Sequence, residues 1–168
     1  MSGSGEPTLQ SRFHELVAGV ARLRDRYCPT VKVVVLSNAA LADRPEVRAG
    51  LALADVRLMK LDAGDPKTYQ AVNRPDEAAT FERIVHNQSQ LGPITLQTML
   101  LDGVVSNMSP AARAAYVKVS RTLRPTSVQL YSIARGTPAT DLHTLKPEVI
   151  GSLAAEIEAE TGIPVYAY

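Results

Sequence analysis

Short β-branched runs alternate with longer amphipathic stretches along this chain, and no other feature of the sequence constrains the fold as strongly. The alternation is typical of βα units, in which a helix carries the chain back so that the next strand lies parallel to the last. Strands are predicted at 32–38, 55–62, 94–100, 128–133 and 163–166. We therefore expect one α/β domain of 168 residues built on a parallel sheet.

Local signals mark the ends of the predicted helices. Asp65 and Ser109 are suited to cap helix N-termini, and Gly162 is suited to a left-handed helix C-cap. The first helix is predicted at about 8–27, where apolar residues recur at three- and four-residue steps. Four prolines stand where a first helical residue is expected: Pro45, Pro66, Pro110 and Pro147.

The composition excludes several classes of protein. With 18 Lys+Arg against 17 Asp+Glu, the chain has no net field that would attract nucleic acid or an anionic membrane. There is no apolar run of about 18 residues and no secretion-signal pattern, so we expect a soluble cytoplasmic protein without a membrane partner. The single cysteine, Cys28, excludes a disulfide framework and any thiolate-held metal site built by this chain alone.

Polar residues occur toward the carboxyl ends of the predicted strands, on one of the two faces of the sheet. Ligands of α/β sheets bind at this end of the strands, so these residues are expected to line one polar mouth that binds a small molecule. They are Asn38, Lys60, Asp62, Gln97, Tyr131 and Arg135. Residues of the opposite parity are apolar and are expected to pack on helices.

The run Ser-Gly-Ser-Gly-Glu-Pro-Thr-Leu at 2–9 leads directly into the first predicted helix. A Gly/Ser stretch at an N-terminus is often only a flexible tag remnant. Here it resembles the Gly-Gly-Glu region of radical S-adenosylmethionine (radical SAM) enzymes, in which backbone and acidic groups hold the methionine amino group of the cofactor. Further segments resemble later strands of that family in the expected order, at 34–40, 60–66, 71–75, 93–99 and 128–135.

The resemblance covers the whole chain and is strongest to the subgroup related to wyosine synthases. It implies a partial (β/α) TIM-like barrel that lacks the first strands, with S-adenosylmethionine as the cofactor. A complete enzyme of this family cleaves the cofactor reductively to a 5′-deoxyadenosyl radical. The resemblance implies Lys60 and Asp62 as the candidate catalytic pair, and it leaves a tRNA substrate open. The candidate cofactor-binding residues are Ser4, Gly5, Glu6, Asn38, Gln97, Tyr131 and Arg135.

One departure from the family outweighs these matches. The Cys-x3-Cys-x2-Cys loop, whose thiolates hold a four-iron cluster, has no counterpart in a chain with one cysteine. The chain is expected to begin near the end of what would be the second strand and to be inactive alone, with a cluster only if the missing segment is supplied. The segment 31–36 would then be an unpaired sheet edge, through which we expect self-association, pairing with an N-terminal half, or aggregation.

Two alternatives remain at this point. The chain could be a degenerate, non-catalytic module that binds an adenosine-containing ligand or serves in protein association. It could also be an enzyme in which Lys60 forms an imine, although a structural ion pair with Asp62 on the same face is the favoured interpretation. The three histidines are widely separated and are not predicted to bind a metal.

Overall fold

The computed structural model describes residues 1, 5–133 and 141–168 of the chain. Its helices are α1 (Phe13–Tyr27), α2 (Pro45–Ala52), α3 (Pro66–Asn73), α4 (Phe81–Ser89), α5 (Pro110–Leu123) and α6 (Pro147–Thr161). Its strands are β1 (Val34–Ser37), β2 (Val56–Lys60), β3 (Thr95–Leu100), β4 (Asp102–Gly103), β5 (Ser127–Ser132), β6 (Leu142–His143) and β7 (Val165–Ala167). Among the described residues, no helix combines the length and the hydropathy of a membrane span.

Five strands form a parallel sheet in the order β1-β2-β3-β5-β7, and β4 pairs antiparallel with β6 in a small separate ribbon. All five predicted strands are therefore present, and the predicted α/β class is confirmed. The helices that connect the parallel strands pack on one face of the sheet. The result is an open segment of a (β/α) barrel, with its other face uncovered.

The register of the strands separates two kinds of surface. On one face, Lys60 is aligned with Gln97, Gln97 with Gln129, and Gln129 with Tyr166, so one polar row crosses four strands. The opposite face is the core of the protein. The strand residues at its centre are fully buried against the helices: Val35, Met59, Leu96, Val128 and Leu130.

The predicted cap residues occupy their expected positions. Asp65 accepts a hydrogen bond from the amide of Thr68 at 2.9 Å, and Ser109 accepts one from the amide of Ala112 at 3.2 Å. Gly162 ends α6 with a φ of 69°, which a residue without a side chain adopts at little cost. The four prolines lie in the first turns of α2, α3, α5 and α6.

The first helix begins later than the sequence predicts. A 3₁₀ turn spans Pro7–Leu9, and α1 starts at Phe13. The reason is that the amide and the hydroxyl of Thr8 both donate to Oε1 of Glu6, at 3.1 and 2.6 Å. Gln10 then adopts an extended backbone conformation, so a continuous helix from Thr8 is interrupted.

The strand β1 lies at an edge of the sheet, as the sequence predicts, but this edge is not fully unpaired. The carbonyl oxygen of Val34 accepts a hydrogen bond from the amino group of Met1, and the amide of Leu36 donates to the carbonyl oxygen of Met1 at 3.1 Å. The expectation of a bare edge over 31–36 is corrected accordingly. Less of its backbone is open, because another part of the chain occupies the position of a neighbouring strand.

Candidate functional site

A buried ion pair lies at the carboxyl end of β2. Nζ of Lys60 donates to both carboxylate oxygens of Asp62, at 2.7 and 2.9 Å, and Asp62 is only 2% exposed. Asp62 also accepts hydrogen bonds from Nδ2 of Asn73 at 2.8 Å and from the amide of Met99 at 2.7 Å. The carboxylate therefore connects the ends of β2 and β3 with α3.

Lys60 is held as an ammonium. Its burial acts to lower its pKa, but the charge and hydrogen bonds of Asp62, together with the hydroxyl of Tyr131, outweigh burial and raise the pKa above its usual value. Nζ also lies 5.2 Å from the centroid of the Tyr131 ring, a cation–π distance. This geometry is that of the ion pair favoured from the sequence, and a raised pKa opposes the neutral amine that imine formation requires.

Helix α3 is an insertion at the same end of the sheet. It follows β2 and precedes α4, which carries the chain to β3. Tyr69 and Asn73 stand one helical turn apart and face Asp62: Asn73 donates to it, and the pKa of Tyr69 is raised by burial and by the Asp62 charge. Arg74 ends the helix in the left-handed conformation.

A second carboxylate lies at the end of the neighbouring strand. Oε1 of Glu6 accepts a hydrogen bond from the hydroxyl of Ser37 at 2.7 Å, and Oε2 accepts one from the amide of Asn38 at 2.8 Å. Because Ser37 is aligned with Met59 of β2, the Glu6 carboxylate and the Lys60–Asp62 pair are at adjacent strand ends. The N-terminal motif and the strand-end residues thus meet at one mouth.

Buried amide side chains brace the strand ends from behind. Asn87 donates to the carbonyl oxygen of Ala39 at 2.9 Å, and Gln88 donates to that of Lys60 at 3.0 Å. Asn107 donates to the carbonyl oxygens of Asp62 and Met99, both at 2.8 Å. The sequence analysis missed these residues. Their signal was available in α4, where Ile84, Asn87, Gln88 and Leu91 share the spacing of a buried helix face.

The remaining predicted residues are distributed as follows. Gln97 and Tyr131 are half-buried on the same face as Lys60, whereas Gly5 is exposed. Ser4 and Arg135 lie outside the described residues. The binding and catalytic roles of all these residues stay predictions. In the described part of the chain, no group of three or more His, Cys, Asp or Glu residues is arranged to hold a metal ion, and Cys28 is exposed after α1.

Comparison with known proteins places this geometry in context. No protein-family model matches the chain. A UPF0026 protein of Synechocystis is 30% identical over 186 residues, which cover 98% of this chain and 68% of that protein.

Two solved structures share the fold. TYW1 with a lysine–pyruvate adduct bound has a TM-score of 0.72 and 20% identity, covering 94% of this chain and 48% of TYW1. A radical SAM methyltransferase from Sphaerobacter thermophilus has a TM-score of 0.65 and 21% identity, covering 100% and 49%. The chain thus spans about half the length of these radical SAM structures, whose partial barrel it shares.

Proposed function

This chain belongs to the UPF0026 family, and from that premise we propose that it binds S-adenosylmethionine at the carboxyl ends of β1 and β2, as the C-terminal portion of a radical SAM-type enzyme. The observation that carries the proposal is the buried Lys60–Asp62 pair beside the Glu6 carboxylate. Charged groups of both signs at adjacent strand ends suit a zwitterionic ligand such as the methionine part of this cofactor.

The residues at this mouth fit the cofactor group by group. Oε2 of Glu6 accepts one hydrogen bond within the described residues, from Asn38, and retains capacity for a ligand ammonium. The Lys60 ammonium suits a carboxylate, and the buried Oδ1 of Asn73 suits a hydroxyl. When bound, this cofactor supplies hydrogen-abstraction chemistry, provided that an electron reaches it.

The iron–sulfur cluster does not fit this chain. A four-iron cluster is held by several cysteine thiolates, and the sequence contains one cysteine. Cys28 follows α1 and is exposed, away from the strand ends that carry Glu6 and Lys60. We therefore propose that the chain alone binds the cofactor without cleaving it, and that a separate cluster-bearing segment completes the enzyme.

That segment would pair along β1. The edge segment 31–36 is the proposed contact, with Met1 displaced from Val34 and Leu36 by an incoming strand. Self-association through the same edge is tested by sedimentation velocity over a range of concentrations, and a single species at monomer mass throughout would remove it. The nature of the substrate, including a tRNA, and a cytoplasmic location stay predictions.

The cofactor proposal is tested by NMR titration of the ¹⁵N-labelled chain with S-adenosylmethionine. We expect a Kd in the millimolar range, about −4 kcal/mol, because the iron that anchors the amino-acid end in this family is missing. The amides of Asn38 and Met99 should shift. Glu6→Gln and Lys60→Met should weaken binding, whereas Lys118→Met, which removes an exposed lysine of α5, should not. No saturable shift at these amides would refute the proposal.

A further inference from the structure

The insertion of α3 places the side-chain amide of Asn73 directly against Asp62. Nδ2 of Asn73 lies 2.8 Å from Oδ2 of the carboxylate. A carboxylate paired with Lys60 only accepts hydrogen bonds, so the amide must present its NH₂ group to Asp62. The carbonyl oxygen, Oδ1, is consequently at the other end of the amide.

This carbonyl oxygen is unusual. It is buried, and within residues 1, 5–133 and 141–168 it has no hydrogen-bond partner. Buried polar atoms without a partner are rare in folded proteins, and an unpaired acceptor is a common sign of a missing donor. Asn73 therefore sits beside the proposed ligand mouth with one acceptor unused.

The surrounding charges indicate which donor is missing. The Lys60 ammonium already shares the Asp62 carboxylate with Asn73, so a second cation next to Oδ1 would be repelled. A neutral hydroxyl meets no such repulsion. We infer that Asn73 is a specificity-determining residue whose Oδ1 accepts a hydrogen bond from a hydroxyl of the adenosyl ligand, an inference that rests on the proposed function.

Helix α3 must take part in this recognition. Oδ1 is covered in the chain without ligand, so the hydroxyl reaches it only when α3 or a neighbouring side chain shifts. The helix has eight residues, and it is fixed at its start by the Asp65 cap and at its end by Arg74. Ligand binding is thereby coupled to the position of a two-turn helix that no other step of the βα pattern requires.

The test compares adenosine with 2′,3′-dideoxyadenosine, which lacks both ribose hydroxyls. We expect the wild-type chain to bind adenosine about tenfold more tightly, the effect of one good hydrogen bond. Asn73→Ala should reduce this preference to about twofold or less. Gln70→Ala, an exposed position on the same helix, should retain it. Thermal unfolding of each variant verifies that it is folded, and Asn73→Ser replaces Asn73→Ala if the alanine variant is not.

The possible outcomes separate the two proposals. A structural role for Asn73 would weaken both nucleosides equally and keep their ratio, and this result would overturn the inference. Equal affinities for the two nucleosides in the wild-type chain would also overturn it. A wild-type chain that binds neither adenosine nor S-adenosylmethionine would instead refute the proposed function.

Discussion

The two faces of the parallel sheet belong to the same strands but have different tasks. The face under the helices is apolar and closed, with Met59, Leu96 and Leu130 at 0% exposure. The other face is polar and open, with Lys60, Gln97 and Gln129 in one row. Burial of apolar area is the main source of folding free energy, so the closed face is expected to carry stability and the open face to carry binding. Asp62 is the exception, because it belongs to the mouth and is nevertheless buried.

The largest effect should come from this exception. Asp62→Ala removes the acceptor for the Lys60 ammonium, the Asn73 amide and the Met99 N–H at once. We expect a loss of about 4 kcal/mol in the free energy of unfolding, as for other buried pairs that lose one partner. Urea unfolding measures it, with the exposed Asp102→Ala as the matched control. Equal stability of the two variants would show that the mouth is not part of the stable core.

The next effect compares the two faces directly. Leu130→Ala on the closed face should cost about 3 kcal/mol in unfolding free energy, because it leaves a cavity among buried side chains. Gln129→Ala, the adjacent residue on the open face, should change it by less than about 0.5 kcal/mol. Urea unfolding of both variants is the measurement. A similar cost at the two positions would contradict the division of tasks between the faces.

The smallest effect is a pH dependence at Lys60. Its pKa in the folded chain is raised above the ordinary value of 10.5, so its stabilisation is fully present below pH 10.5 and is lost as the pH rises through the folded pKa. Lys60→Met should lower the free energy of unfolding by about 2 kcal/mol at pH 7 and at pH 9. The difference from the wild-type chain should shrink at pH 11. Urea unfolding at the three pH values checks this, and a difference that already shrinks between pH 7 and pH 9 would be inconsistent with a raised pKa.

Sequence patterns predicted those parts of the molecule that depend on local information. The strands and the caps at Asp65, Ser109 and Gly162 follow from alternation and from single residue types. The Lys60–Asp62 pair was equally accessible, because residues two apart on a strand share a face.

The rest of the site depends on tertiary contacts. Glu6 meets Ser37 across 31 residues of sequence, and only resemblance to a known family suggested that its carboxylate belongs at a strand end. The amides of Asn73, Asn87 and Asn107 bind partners on other elements, so no local pattern reveals them. The start of α1 was misplaced for the same reason, because the Glu6 carboxylate holds the preceding turn.

The amides behind the strand ends have a wider consequence. Gln88 and Asn107 grip the main chain of the mouth from α4 and from the loop after β3, and neither side chain faces the proposed ligand mouth. Replacing either one would alter the outline of the opening while leaving every lining side chain unchanged. Relatives of this chain could thus acquire new ligand preferences through substitutions hidden in the interior, where a search limited to pocket-lining positions would overlook them.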